Sequence, residues 1–399
     1  MKNILLVILS VLFTVAALEI GLRFFYPPLK SGWGWNDSPR KSLSNFANDL
    51  PNQLGVRGQK IRYGKDDIVI VLLGDSQVEA ATSSPEKMPE MLLENFLNKH
   101  LTQTVKVFSL AASGWGQDQQ LLALKNYYKK YRADIVLLWA TPKNDFWENT
   151  FPDRCVKKTA GHLKPTFRLV HNKLTNMYYL PNEYYKNSSV AQLIAEAFQV
   201  LKGETIEQLI LNDWLKFLPE PHKKISNSVN DKKENTLEID MNKFSQNVFN
   251  YANDTNITII TYEDFLDSRS HLAPYLVHKS KRDLYLIQIT KALFQEIYSL
   301  AKDNNSKFLV FYPIRRDFNF IYKNSIKYVK SYYLPNLVFP VNINYLSLLK
   351  NIIPDNHLFY FNILGKDNIC VNHNDRHLNE QGNKEVMEHV SNFIIKNFL

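Results

Sequence analysis

An α/β fold on a five-stranded parallel sheet is what this sequence predicts, on three observations. Five short runs are apolar almost without interruption, the pattern of strands buried on both faces. Stretches with apolar residues at helical spacing separate them, the order of right-handed parallel βαβ units. The first three runs end in small or polar residues, Gly74-Asp75-Ser76, Ala112-Ser113-Gly114 and Asn144-Asp145. Ligands bind outside the carboxyl ends of strands in open parallel sheets, so these ends are the place to look for chemistry.

In chain order, residues Ile4 to Leu18 are apolar apart from Ser10 and Thr14, with Lys2 before them and Glu19 after them. One positive charge, an apolar run and a polar exit make the layout of a signal sequence, with Val15-Ala16-Ala17 as a cleavage site. The alternative is an uncleaved anchor reaching Phe25, near the ~20 residues that a span needs. Residues 1–28 are therefore read as a membrane helix or signal peptide. The rest of the chain is expected outside the cytoplasm, in a bacterial cell envelope. Residues 29–65, rich in Ser, Asn, Gly and Lys, read as a linker.

The first half of the sheet domain is expected over 66–145. It has strands at Asp67–Leu73, Val105–Leu110 and Asp134–Ala140, and helices at Pro89–His100 and Asp118–Tyr131. From 146 to 283 the alternation stops, and the chain reads as a long, mostly irregular and partly helical insertion. The second half spans 284–399: a helix from Leu284 to Lys302, strands at Lys307–Pro313 and Leu358–Phe361, and a last helix from Leu378 to Phe398.

Composition removes several classes. Hydrophobic residues at 45% and aromatics at 13% exclude a disordered chain. Two cysteines in 399 residues exclude a disulfide scaffold and a cysteine-based zinc cluster. The net charge of +9 suits a membrane surface or an acidic polymer. No dense basic run or nucleic-acid motif accompanies it, so no nucleic-acid partner is expected. No glycine-rich phosphate loop is present, and no cofactor is expected.

The residues at the strand ends are those that acyl transfer needs. A serine hydroxyl is a weak nucleophile until a base takes its proton; Ser76 and His377 are the candidates. A carboxylate must hold the imidazole in the productive tautomer, and Asp375 is nearest in sequence. Backbone N–H groups of Ser76 and Gly114, with the side-chain amide of Asn144, are three candidate donors for an oxyanion hole.

These blocks resemble the SGNH, or GDSL-type, serine hydrolase family. Gly74-Asp75-Ser76 resembles its nucleophile block, with Glu79-Ala80 downstream, and Ser113-Gly114 its oxyanion glycine block. Lys143-Asn144-Asp145 resembles the Asn block without its usual preceding glycine, and Asp375-Arg376-His377-Leu378 resembles the Asp/His block. Asp and His are usually three apart in that block, which would put Asn374 in the carboxylate's place. The spacing of two resembles envelope proteins related to alginate O-acetylation and leaves Asp375 as the choice. The resemblance covers about residues 50–150 and 284–399. It implies a flavodoxin-like three-layer sandwich, a Ser-His-Asp esterase, and an acylated, notably acetylated, carbohydrate substrate. The rival readings are an O-acetyltransferase with the same triad, a non-catalytic glycan-binding assembly protein on this fold, and a flavodoxin-like cofactor binder.

Two further expectations rest on topology. Cys155 follows the Asn144 loop and Cys370 precedes the His377 loop, which makes them a candidate disulfide at one sheet edge in a compartment that permits it. His373 and His377 flank Asp375, but no third ligand can be placed beside them, so no metal is expected. Trp115 and Trp147 near the site blocks are candidates for a sugar platform, with core packing the plainer role; Trp139 reads as core.

Overall fold

The computed structural model describes residues 2–25, 51–152, 166–175, 188–202, 214–220, 274, 279–314, 321–323, 326–330, 338–341, 349, 351–363, 367–371 and 377–398. The chain divides into two compact units. One comprises Met1–Trp33, Phe151–Arg168 and Thr175–Leu218; the other comprises Gly34–Thr150, Leu169–Leu174 and Pro219–Leu399.

The larger unit is built on a five-stranded, all-parallel sheet. Its strands are β1 (Ile68–Gly74), β2 (Val105–Ala111), β3 (Ile135–Trp139), β6 (Lys307–Ile314) and β10 (Leu358–Asn362), in the spatial order β2-β1-β3-β6-β10. The aliphatic runs make these strands because both faces are covered: Val69 through Leu73 are wholly buried. On one face, Ile70, Leu72, Leu137 and Leu309 pack in one core with Leu93 and Leu97 of α3 (Pro89–His100) and with Val386, Met387, Val390 and Ile394. Those four residues belong to the last helix, Glu380–Asn397. The alternate residues face α4 (Gln117–Tyr127) and a long helix, Lys281–Asp303, which pack together and against β1, β2 and β6. The chain leaves β1 for β2 on one side and β3 for β6 on the other. The carboxyl ends of β1 and β3 therefore flank the point where strand order reverses, the usual ligand crevice of such sheets.

The edge strand β2 is closed by side chains rather than by another strand. The N–H groups of Val107 and Ser109 donate to Glu94 and Glu90 of α3, at 3.0 and 2.6 Å. The Val107 and Ser109 carbonyls accept from Gln59 and Asn52. This corrects the linker reading of 29–65 for its described part. From Pro51 onward the segment is built into the sheet edge, with Val56, Arg57 and Ile61 buried, because the edge's unpaired backbone groups need partners.

Smaller differences have local causes. The long helix starts at Lys281 rather than Leu284, since Ser280 and Asp283 form a reciprocal capping box. The last helix starts at Glu380, where the Asn379 side chain caps the Gly382 N–H. Within the expected insertion, β4 (Leu169–Val170) and β5 (Lys173–Leu174) pair as a hairpin through His171 and Asn172, both at positive φ as a type I′ turn requires. Between β6 and β10 lies an antiparallel sheet of β7 (Ile321–Lys323), β8 (Ile326–Lys330) and β9 (Val338–Val341), where no element was expected. Its edge strand β9 carries Pro340, which cannot donate to a ladder and is tolerated at an edge.

The smaller unit contains α1 (Lys2–Phe25) and an amphipathic helix, Ser189–Lys202. Helix α1 is long and apolar enough to cross a membrane, and its span Asn3–Phe25 is unburied.

Candidate active site

The site is assembled on β1 and the turn that follows it. Asp75 is the N-cap of a four-residue helix, α2 (Ser76–Glu79), and its Oδ1 accepts the Gln77 N–H. Ser76 is thus the first helical residue after a sharp strand-to-helix turn. Gly74 is required there, because a Cβ would overlap the Val78 side chain. Ser76 is 9% exposed, and its Oγ lies 2.8 Å from Nε2 of His377. An imidazole with its proton on Nδ1 can accept the serine proton at this nitrogen, the arrangement that activates a nucleophile.

His377 comes from the turn before the last helix, here α8 (Glu380–Asn397); the helices between are α5 (Pro142–Glu148), α6 (Ser189–Lys202) and α7 (Lys281–Asp303). Its position is held from several sides. The Val371 N–H donates to the His377 carbonyl at 2.9 Å, and the Asn379 N–H to the Ile369 carbonyl at 2.9 Å. The Leu378 N–H donates to Gln77 Oε1 at 3.2 Å, tying the histidine turn to the residue beside Ser76. The Asn379 amide donates to the Asn368 and Cys370 carbonyls. Gly382 permits this approach, since a Cβ there would overlap the Ile369 carbonyl oxygen. Asp375 and its rival Asn374 lie outside the described residues, as does Cys155 of the candidate disulfide.

The other two blocks stand on the neighbouring strands. Gly74 of β1 is in register with Ala111 of β2, so Gly114 lies in the adjacent loop. Gly114 has φ +74°, a left-handed conformation that suits glycine. The Ser113 N–H in that loop donates to Glu79 Oε2 at 2.7 Å, and Glu79 is 2% exposed. A buried carboxylate one turn after Ser76 therefore holds the glycine loop. On the other side, Asn144 lies in α5, directly after β3. Its Nδ2 donates to Asp75 Oδ2 at 3.3 Å, and its backbone N–H to the Thr141 carbonyl. Asp75, 1% exposed, thus connects α2 to Asn144 of α5.

The structure brings Ser76 together with His377, links Asn144 to Asp75, and places Gly114 in the loop beside β1. Gln77 and Glu79 were not anticipated as site residues. The available signal for Glu79 was a carboxylate in the otherwise uncharged segment Ser76–Ala81; for Gln77 there was none. Trp115, Trp139 and Trp147 are all at most 3% exposed, so the platform role considered for Trp115 and Trp147 gives way to packing.

The Arg57 guanidinium, 3% exposed, donates to the Glu79, Ala80 and Ser83 carbonyls and fixes the chain leaving α2. Ala80 there adopts φ +44°.

No protein-family model matches this chain, and no curated protein sequence matches it.

Proposed function

We propose that this protein is an SGNH-type serine esterase that removes acyl groups, notably acetyl, from an envelope or secreted carbohydrate. The observation that carries the reading is the 2.8 Å contact of Ser76 Oγ with His377 Nε2 at the carboxyl end of β1. Strand order supports it. Numbered within the sheet, the five strands run 2-1-3-4-5, the flavodoxin-like order, and Ser76 and Asn144 follow the two strands that flank its switch point.

In this reading, His377 takes the Ser76 proton as Oγ attacks the ester carbonyl, with Asp375 orienting the imidazole. The oxyanion forms against the N–H groups of Ser76 and Gly114 and the Asn144 amide. Collapse expels the sugar hydroxyl, which receives the proton back from His377. Water then repeats the sequence on the acyl-serine and releases the acid. The positioning contacts of Asp75, Gln77 and Glu79 keep three loops in register without reorganisation during the reaction. Helix α1 serves in the same reading as an inner-membrane anchor, with the catalytic unit outside the cytoplasm.

The test is an assay with an aryl acetate and with an acetylated polysaccharide. Acetate release that is lost in Ser76→Ala supports the esterase. Acetyl appearing on an added sugar acceptor instead of in water would identify the same triad as an O-acetyltransferase. Undiminished turnover by Ser76→Ala would refute both.

A further inference from the structure

Glu19 lies near the carboxyl end of α1, and its carboxylate is fully engaged in a joint with α6. It accepts the Ser188 hydroxyl and the N–H groups of Ser189 and Val190, each at 3.0 Å, and Arg23 Nε–H at 2.8 Å. Ser189 and Val190 open α6, and their N–H groups have no acceptor within the helix. A side chain just before the helix ordinarily supplies this cap. Here Ser188 Oγ takes the Ala191 N–H at 3.1 Å, and a carboxylate 170 positions upstream of Ser189 takes the first two.

Among the described residues, helix α6 presents an exposed apolar stripe. Leu193, Ile194 and Leu201 are 42%, 52% and 83% exposed, and Ala197 between them is exposed too. At about 100° per residue, Val190, Leu193, Ile194, Ala197 and Leu201 fall on one face. Helix α1 carries exposed apolar side chains all round, from Ile4 to Leu18. At 1.5 Å per residue, that run is about 22 Å long and ends at Glu19.

We propose that α6 is an interfacial helix, lying with Leu193, Ile194, Ala197 and Leu201 in the lipid surface that α1 enters, and that Glu19 is the joint that fixes it there. The proposal rests on the membrane-anchor reading of α1 and adds a second lipid-facing element to it. Glu19 is the first charged residue after the run, followed by Arg23 and the exposed Phe24 and Phe25, an arrangement that suits the headgroup boundary, where α6 then begins. An amphipathic helix at that depth buries its apolar face in the acyl boundary and keeps its polar face wet. Free backbone N–H groups are costly there, which is the use of a cap that water need not supply. A protein partner on the α6 stripe would leave the rest of the α1 surface uncovered, whereas lipid covers both. The joint also makes α1 a retained part of the protein rather than a removed signal.

The experiment uses the full-length protein in phosphatidylcholine–phosphatidylglycerol vesicles doped with a diazirine-bearing phosphatidylcholine. Irradiation is followed by peptide mapping. Lipid adducts are expected within 3–25 and within 193–201, and none within 380–397. In Glu19→Ala, the adducts in 3–25 should persist while those in 193–201 fall severalfold. Adducts in 3–25 with 193–201 as unlabelled as 380–397 would overturn the proposal and leave the anchor standing. Equal labelling of 193–201 in Glu19→Ala would overturn the joint. A mature chain beginning at Leu18 or later, or no adducts in 3–25, would overturn the anchor reading itself.

Discussion

Ser76 Oγ and His377 Nε2 lie 2.8 Å apart although 301 positions separate them in the chain. The pair forms because parallel topology returns the last turn to the carboxyl end of the first strand. Gln77, next to Ser76, then accepts the Leu378 N–H and ties the histidine turn to α2. If His377 is the base, His377→Ala should lower kcat by about 10²–10⁴-fold, the usual contribution of general acid–base catalysis. Thermal unfolding should change little, since His377 is only partly buried. Steady-state kinetics beside a melting curve checks both halves; a kcat within twofold of the parent would remove His377 from the mechanism.

Asn144 is predicted to act on the transition state rather than on substrate affinity. Asn144→Ala should reduce kcat by about 10²–10³-fold with KM nearly unchanged, the cost of one oxyanion donor. A raised KM at constant kcat would make Asn144 a binding residue. Because Asp75 accepts from the Asn144 amide, Asp75→Ala should lower kcat in the same direction and add a loss of stability from the missing cap.

Glu79 holds the Gly114 loop through the Ser113 N–H, which makes it a positioning residue in this reading. Removing its carboxylate takes away the acceptor of a part-buried donor and leaves the Gly114 loop less fixed. Glu79→Ala should lower kcat by about tenfold, equivalent to about 1.4 kcal/mol of barrier, while KM holds. Equal loss in kcat and stability with restored kcat on cooling would mark a purely structural role.

The strands were legible because Ile68–Leu73 and Ile135–Trp139 are apolar on both faces, and Val105–Leu110 departs from that pattern only at Lys106 and Ser109. The site serine and histidine were legible for a related reason: strand ends are marked by Gly74, Gly114 and the polar residues after them. What closes the β2 edge was not legible. Glu90, Glu94, Gln59 and Asn52 meet Val107 and Ser109 only in the folded chain, and carboxylates on a helix ordinarily point to water. The Glu19 cap on α6 is hidden in the same way, since nothing at Ser188 signals an acceptor in α1. The β7–β9 sheet escaped notice because its strands are short and Ile326-Lys327-Tyr328-Val329-Lys330 alternates only in part.

Glu90 gives the fold a pH dependence with a definite sign. Burial pushes its carboxyl up to about 7 from the ordinary 4.5, against the Ser109 and Gln59 N–H groups that favour the charged form. Between these values the folded chain holds more protons than the unfolded one, so stability rises as pH falls from about 7 to 4.5 and is lost as pH rises. The gain has a ceiling of roughly 3 kcal/mol at 1.36 kcal/mol per pH unit. Denaturant titrations at pH 8 and pH 5 should show it in the parent and show much less in Glu90→Gln. Identical pH slopes in the two proteins would contradict the assignment.

The central claim is that Ser76 is a nucleophile poised by His377, and a fluorophosphonate tests it most directly because it phosphonylates only an activated serine. Intact-mass and peptide analysis of the treated protein should find one adduct, on the peptide carrying Ser76, with labelling abolished in Ser76→Ala and strongly slowed in His377→Ala. An unmodified chain under conditions that fully label a control serine esterase, or an adduct on any other residue, would contradict the account.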